Sequence, residues 1–195
     1  MKLVLLIASL IACLMPWRFV SGQEMSGQAL LDALVARTPG ATLNRMRNRP
    51  EAFVEEAAGL ILGYGGPQGL SAADIETAIN AERARLRARE IRRVLDADLN
   101  GDLSVTRREL NVVLSAASAT MRGRLLVWHR AADKDDDGTA TWPEIRKFAS
   151  QSAQTHMTDQ AAAAMRAMMT FDLDGDGFVM LQEVLDAMHI LGAPA

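Results

Sequence analysis

The chain has 195 residues, 49% of them apolar, and a formal net charge of −3. That is enough apolar material for one compact domain or two small lobes with a real core, which excludes a disordered chain, and the mildly acidic balance argues against a nucleic-acid partner. A single cysteine, Cys13, excludes an intrachain disulfide and a thiolate metal cluster.

Ala, Leu, Arg, Glu and Met dominate while aromatics are scarce. Unbranched side chains lose little rotamer freedom in a helix, so the expected fold class is all-α.

In chain order, residues 1–22 open with a cation at Lys2, followed by an apolar run over 3–15, Pro16, and then small residues around Ser21 and Gly22. The run is short for a bilayer span and has the outline of a signal peptide, so the protein is expected to be exported, periplasmic or secreted. Two alternatives stay open: LIAC over 10–13 resembles a lipoprotein processing box that would leave Cys13 lipidated, and the segment would also serve as an uncleaved anchor. Cleavage after Gly22 removes Lys2 and Arg18 and no acid, moving the net charge from −3 to −5. Residues 23–49 read as a poorly defined arm with one helix.

Pro50 at a helix start and glycines after Leu62 mark a helix over 50–62. SAAD at 71–74 is a capping-box variant, and it opens a long periodic run through Ile75, Ile79, Leu86, Ile91, Val94 and Leu95. Further helices are expected over 107–118, 119–132, 142–154, 158–171 and 181–191. The long helix carries Arg83, Arg85, Arg87, Arg89, Arg92 and Arg93 against only Glu82 and Glu90, which suits either a solvated face or contact with an acidic partner or anionic lipid.

Between these helices stand two segments of one pattern, DKDDDGTATWPE over 133–144 and DLDGDGFVMLQE over 172–183. Each places acids at positions 1, 3 and 5, Gly at 6 and Glu at 12. A hard cation with six to eight oxygen ligands needs a short loop whose alternate side chains point inward. The expected ligands are Asp133, Asp135, Asp137, the carbonyl of Thr139 and Glu144, and in the second loop Asp172, Asp174, Asp176, the carbonyl of Phe178 and Glu183. Five acids against Lys134 in the first loop and four acids in the second leave each with a net charge of −4; the carboxylates repel one another, and a bound cation is the compensation.

At these residues the sequence resembles the EF-hand family, two helices flanking a twelve-residue calcium loop, and the layout is similar to calmodulin. Two departures are Ala140 at position 8 and Met180 at position 9. The resemblance implies two bound Ca²⁺ ions and helix-loop-helix units in pairs. Residues 50–118 would form a degenerate pair and 119–195 a functional one. Upstream, 63–74 keeps Leu70, Ser71 and Asp74 but has no side-chain oxygen at positions 1, 3 or 5. The segment 96–109 offers Asp96, Asp98, Asn100, Asp102 and Glu109; counted from Asp96 with Gly101 at position 6, its closing position falls on Arg107, so it reads as a loop lengthened by two residues and as a candidate third calcium site.

Met157, Met165, Met168, Met169, Met180 and Met188 gather around the last two loops. They fit a Met-rich groove that takes a protein or peptide partner when calcium opens the lobe, and they equally fit ordinary core packing. A sensor or adaptor role and a calcium-stabilised or calcium-storing role follow from these two readings. His129, His156 and His189 are too scattered for a zinc motif, and no catalytic motif is present, so the chain is not expected to be an enzyme.

Overall fold

A computed structural model describes residues 27–192 of the chain. The leader expected over 1–22, with Cys13, lies outside the described residues. Among those described, the fold is all-α, with nine α-helices and four two-residue strands. No helix among them is long and apolar enough to cross a membrane.

The segment expected to be a poorly defined arm with one helix forms two, α1 (Gly27–Arg37) and α2 (Gly40–Asn48). Leu34 and Met46 supply the reason, since both are fully buried in the larger core. Next come α3 (Pro50–Tyr64), β1 (Leu70–Ser71) and α4 (Ala72–Leu95). The second half contains β2 (Val105–Thr106), α5 (Arg107–Ala116), α6 (Ala119–Ala132), β3 (Thr139–Ala140) and α7 (Trp142–His156). The chain then continues through α8 (Asp159–Arg166), a 3₁₀ turn (Ala167–Phe171), β4 (Phe178–Val179) and α9 (Leu181–Ile190).

The strands show that the units do not pair consecutively. β1 pairs antiparallel with β4, and β2 with β3. The division into a 50–118 pair and a 119–195 pair is therefore replaced by a nested arrangement, in which the inner two loops pair and the outer two close around them.

The cause lies in α4. Its 24 residues contain no Gly or Pro, and at 1.5 Å per residue it holds the loops at its two ends roughly 36 Å apart. The Ser71 hydroxyl accepts from the Asp74 amide at 3.2 Å while the Asp74 carboxylate accepts from the Ser71 amide at 2.9 Å, so the helix starts on a satisfied cap. Between loops 2 and 3 the chain breaks at Ala117 and Ser118, which allows α5 and α6 to fold back and bring β2 to β3. Helix α7 then returns along α4, the most extensive helix packing in the molecule.

Two cores result. The larger gathers Phe53, Ile61, Leu70, Ile75, Ile79, Phe171, Val179 and Val184 under α1 and α2. The smaller, around β2 and β3, holds Val94, Val105, Leu110, Leu125, Ala140 and Ile145. Within the larger, Phe53 and Phe171 meet edge to face with centroids 5.8 Å apart.

Candidate metal centre

Loop 172–183 sets the geometric standard. Asp172 accepts hydrogen bonds from the amides of Gly175 at 2.7 Å and Gly177 at 3.0 Å, which bends the chain around its carboxylate. Asp174 accepts from the Asp176 amide at 3.1 Å, and Asp176 from the Phe178 amide at 2.8 Å. Glu183, on the first turn of α9, reaches back to accept from the amides of Leu173 and Met180 at 2.9 and 2.8 Å. One carboxylate oxygen from each of Asp172, Asp174 and Asp176 lies within 4.8 Å of the others.

Loop 133–144 repeats this frame. Asp133 accepts from the Gly138 amide at 3.0 Å, Asp135 from Asp137 at 3.3 Å, and Asp137 from Thr139 at 2.7 Å. Glu144 accepts from the amides of Lys134 and Thr141 at 2.9 and 3.0 Å, and from the Thr141 hydroxyl at 2.6 Å. Hydrogen bonds from the Thr141 hydroxyl and amide, and then from Lys134, hold the Glu144 carboxyl down at about 2.

Asp133, Asp135 and Asp137 again bring oxygens within 4.8 Å of one another. Asp133 is buried, and its Oδ1 has neither solvent nor a hydrogen-bond partner. An ionised oxygen held so close to two other carboxylates is costly unless a cation shares it, so the donor set fits a hard divalent ion.

The third frame corrects the sequence reading of 96–109. Asp98 accepts from the amides of Gly101 and Leu103 at 2.8 and 3.0 Å, as Asp172 does from Gly175 and Gly177. Asn100 accepts from Asp102, and Asp102 from Ser104, at 2.9 and 2.8 Å. Glu109 accepts from the Leu99 amide at 3.3 Å and from the Thr106 amide and hydroxyl at 2.9 and 2.7 Å.

The loop is therefore an ordinary twelve residues from Asp98 to Glu109 and is not lengthened. Asp96 stands outside it as the C-cap of α4. The misreading came from placing Gly101 at position 6. In the structure Gly101 occupies position 4, with φ +77° like Gly175 at +76°, and position 6 is Leu103 at φ +65° where its counterparts are Gly138 and Gly177. A left-handed leucine costs on the order of 1–2 kcal/mol. Counting back eleven residues from Glu109, the first acid of the exiting helix, would have found Asp98.

Loop 63–74 has lost the frame. Helix α3 runs on to Tyr64, and Gly66 and Gly69 exchange hydrogen bonds of 2.9 and 3.0 Å across a tight turn. At Gly69, φ is +111° and an added Cβ would lie 2.8 Å from the Val179 carbonyl oxygen, so the strand pairing itself demands glycine. Asp74, the remaining acid, caps α4, and the Ser71 hydrogen bonds lower its pKa.

The frames are joined by other contacts. The Arg107 amide donates to the Gly138 carbonyl at 2.8 Å, tying loop 2 to loop 3. His129 is a buried core residue whose Nε2 lies 2.9 Å from the Val105 carbonyl oxygen. Arg37, on α1, donates to the Asp172 carbonyl at 3.3 Å, a link that the sequence did not suggest. Of the methionines, Met157, Met168 and Met188 are buried, Met165 and Met169 are partly buried, and Met180 is exposed.

No family model matches the chain, and no solved structure matches it. A curated protein that does match is the probable calcium-binding protein CML14 of Oryza sativa subsp. japonica, 30% identical over 100 residues. The match covers 50% of this chain and 57% of that protein, so the chain spans little more than half the length of its relative.

Proposed function

We propose that this chain, which belongs to the EF-hand family, binds calcium at loops 133–144 and 172–183 and takes a third ion at 98–109. The observation that carries the reading is the buried, unpartnered Oδ1 of Asp133 beside two further carboxylates. The likeness to a probable calcium-binding protein supports it. Asp98, Asn100, Asp102 and Glu109 repeat the same backbone frame with one acid fewer. A binding constant on the order of 10⁻⁴ to 10⁻³ M suits an exported module, and export rests on the leader-like residues 1–22.

Calorimetric titration of the chain tests this. Three calcium equivalents are expected, with one lost in each of Glu144→Gln, Glu183→Gln and Glu109→Gln. Indifference to millimolar calcium in heat, melting temperature and amide shifts would overturn the reading.

For the response to calcium, the sensor or adaptor role requires the Met-rich lobe to open and dock a partner segment. A second reading, calcium as a clamp on the fold, is favoured by the burial of Met157, Met168 and Met188 in the same core as Leu34 of α1 and Met46 of α2. A hydrophobic dye separates the two. Calcium-dependent fluorescence supports the sensor, whereas a gain in melting temperature without dye binding supports the clamp.

A further inference from the structure

The arginines of α4 divide by what they touch. Arg85 pairs with Glu82 at 2.6 Å. Arg89 and Arg93 share the buried carboxylate of Glu90, and Arg93 also stacks over Trp128 at 5.3 Å. These three have structural tasks. Arg83 makes one ion pair, with the exposed Asp159 at 3.1 Å, and its charge also helps to lower the pKa of Glu76, whose carboxylate is held by Arg166; the side chains of Arg87 and Arg92 have no hydrogen bond or ion pair among the described residues.

Arg83 and Arg87 stand one helical turn apart on the same face as Asn80, and this face opens into a cleft of about 700 Å³ between α4 and α7. Ser150 and Gln154 of α7 form the opposite wall, with Thr158 and Asp159 at the head of α8. The lining is rich in N–H and O–H donors, and its sole carboxylate is Asp159. The Nε of Arg83 is shielded from solvent and has no acceptor.

We infer that this cleft is a binding site for a phosphate-bearing anion. Two cations at this spacing repel each other along the helix, and a ligand of opposite charge relieves that repulsion. The side chain of Asp159 is fully solvent-exposed, so its hold on Arg83 is weak and a dianion displaces it. Guanidinium forks match the oxygens of a phosphate better than they match a point charge. The volume exceeds that of bare phosphate, which points to a phosphomonoester carried on a small molecule or a lipid headgroup. The inference uses none of the calcium ligands and stands apart from the calcium reading.

The test titrates the full chain with glycerol 3-phosphate against glycerol, and with phosphatidylcholine vesicles with and without phosphatidic acid. Saturable binding of either phosphate probe is expected. Arg87→Gln should weaken it about tenfold or more, Asp159→Asn should tighten it, and Arg92→Gln should leave it unchanged. Arg87 has no partner to lose, and unchanged melting temperatures will show that the variants fold. Binding of the soluble ester identifies a free phosphate compound, and binding to the phosphatidic acid vesicles alone identifies a lipid headgroup. Binding of neither probe, or equal weakening by Arg87→Gln and Arg92→Gln, overturns the proposal.

Discussion

Leu70 is the antiparallel partner of Val179, although five helices, α4 to α8, lie between them in the chain. Both are fully buried in the larger core. This pair ties loop 63–74, whose one acid caps α4, to loop 172–183, so the degenerate unit persists as the structural support of the other.

Truncating Leu70 should therefore act at a distance in sequence. Leu70→Ala is expected to cost about 2–5 kcal/mol of stability and to weaken calcium binding at 172–183 while sparing 133–144. Amide shifts of Gly177 and Gly138, followed through a calcium titration, report the two loops separately. Equal weakening of both would contradict the nested pairing.

The register of the second loop makes an opposed pair of predictions. Asp98→Asn should abolish the third calcium equivalent, since Asp98 holds the position that Asp172 holds in its own loop. Asp96→Asn should leave the stoichiometry unchanged, because Asp96 belongs to the end of α4. Calorimetry on the two variants decides between a start at 98 and a start at 96.

At Asp133 stability and binding should move in opposite directions. Asp133→Asn keeps an oxygen for the Gly138 amide and removes the charge from a buried group whose Oδ1 has no partner. Without calcium the variant should be more stable than the parent by about 1 kcal/mol, and with calcium it should gain nothing at that loop. Denaturant melts with and without calcium measure both effects, and a less stable calcium-free variant would contradict the electrostatic account.

Glu144 gives a pH dependence of defined sign. Its carboxyl lies at about 2 in the fold against an ordinary value of 4.5. Because the folded value is the lower one, its contribution is fully present above about pH 4.5 and is lost as pH falls toward 2. In calcium-free protein the melting temperature of the parent should fall through that window more steeply than that of Glu144→Gln. Parallel curves would remove Glu144 from the explanation.

The sequence by itself determined the helices and the two most acidic loops, because those signals are local. Asp, Gly and Glu at fixed offsets describe a short loop around an ion, and Pro50, Ser71 and the apolar period mark where helices begin and run. It was weaker where one residue type serves two conformations. Gly101 suggested position 6, and only the hydrogen bonds of Asp98 and Glu109 show that Leu103 takes the left-handed turn instead. The sequence showed only one helix and an undefined arm over 23–49, because the burial of Leu34 and Met46 depends on a core assembled from distant segments.

Partner choice among the loops was decided by tertiary structure alone. An unbroken α4 was legible, but that its length separates loops 1 and 2 while α7 folds back to bring loops 1 and 4 together follows only from the packing of whole helices. Local chemistry specifies a loop, and the distances between loops are set by the rigid rods that join them.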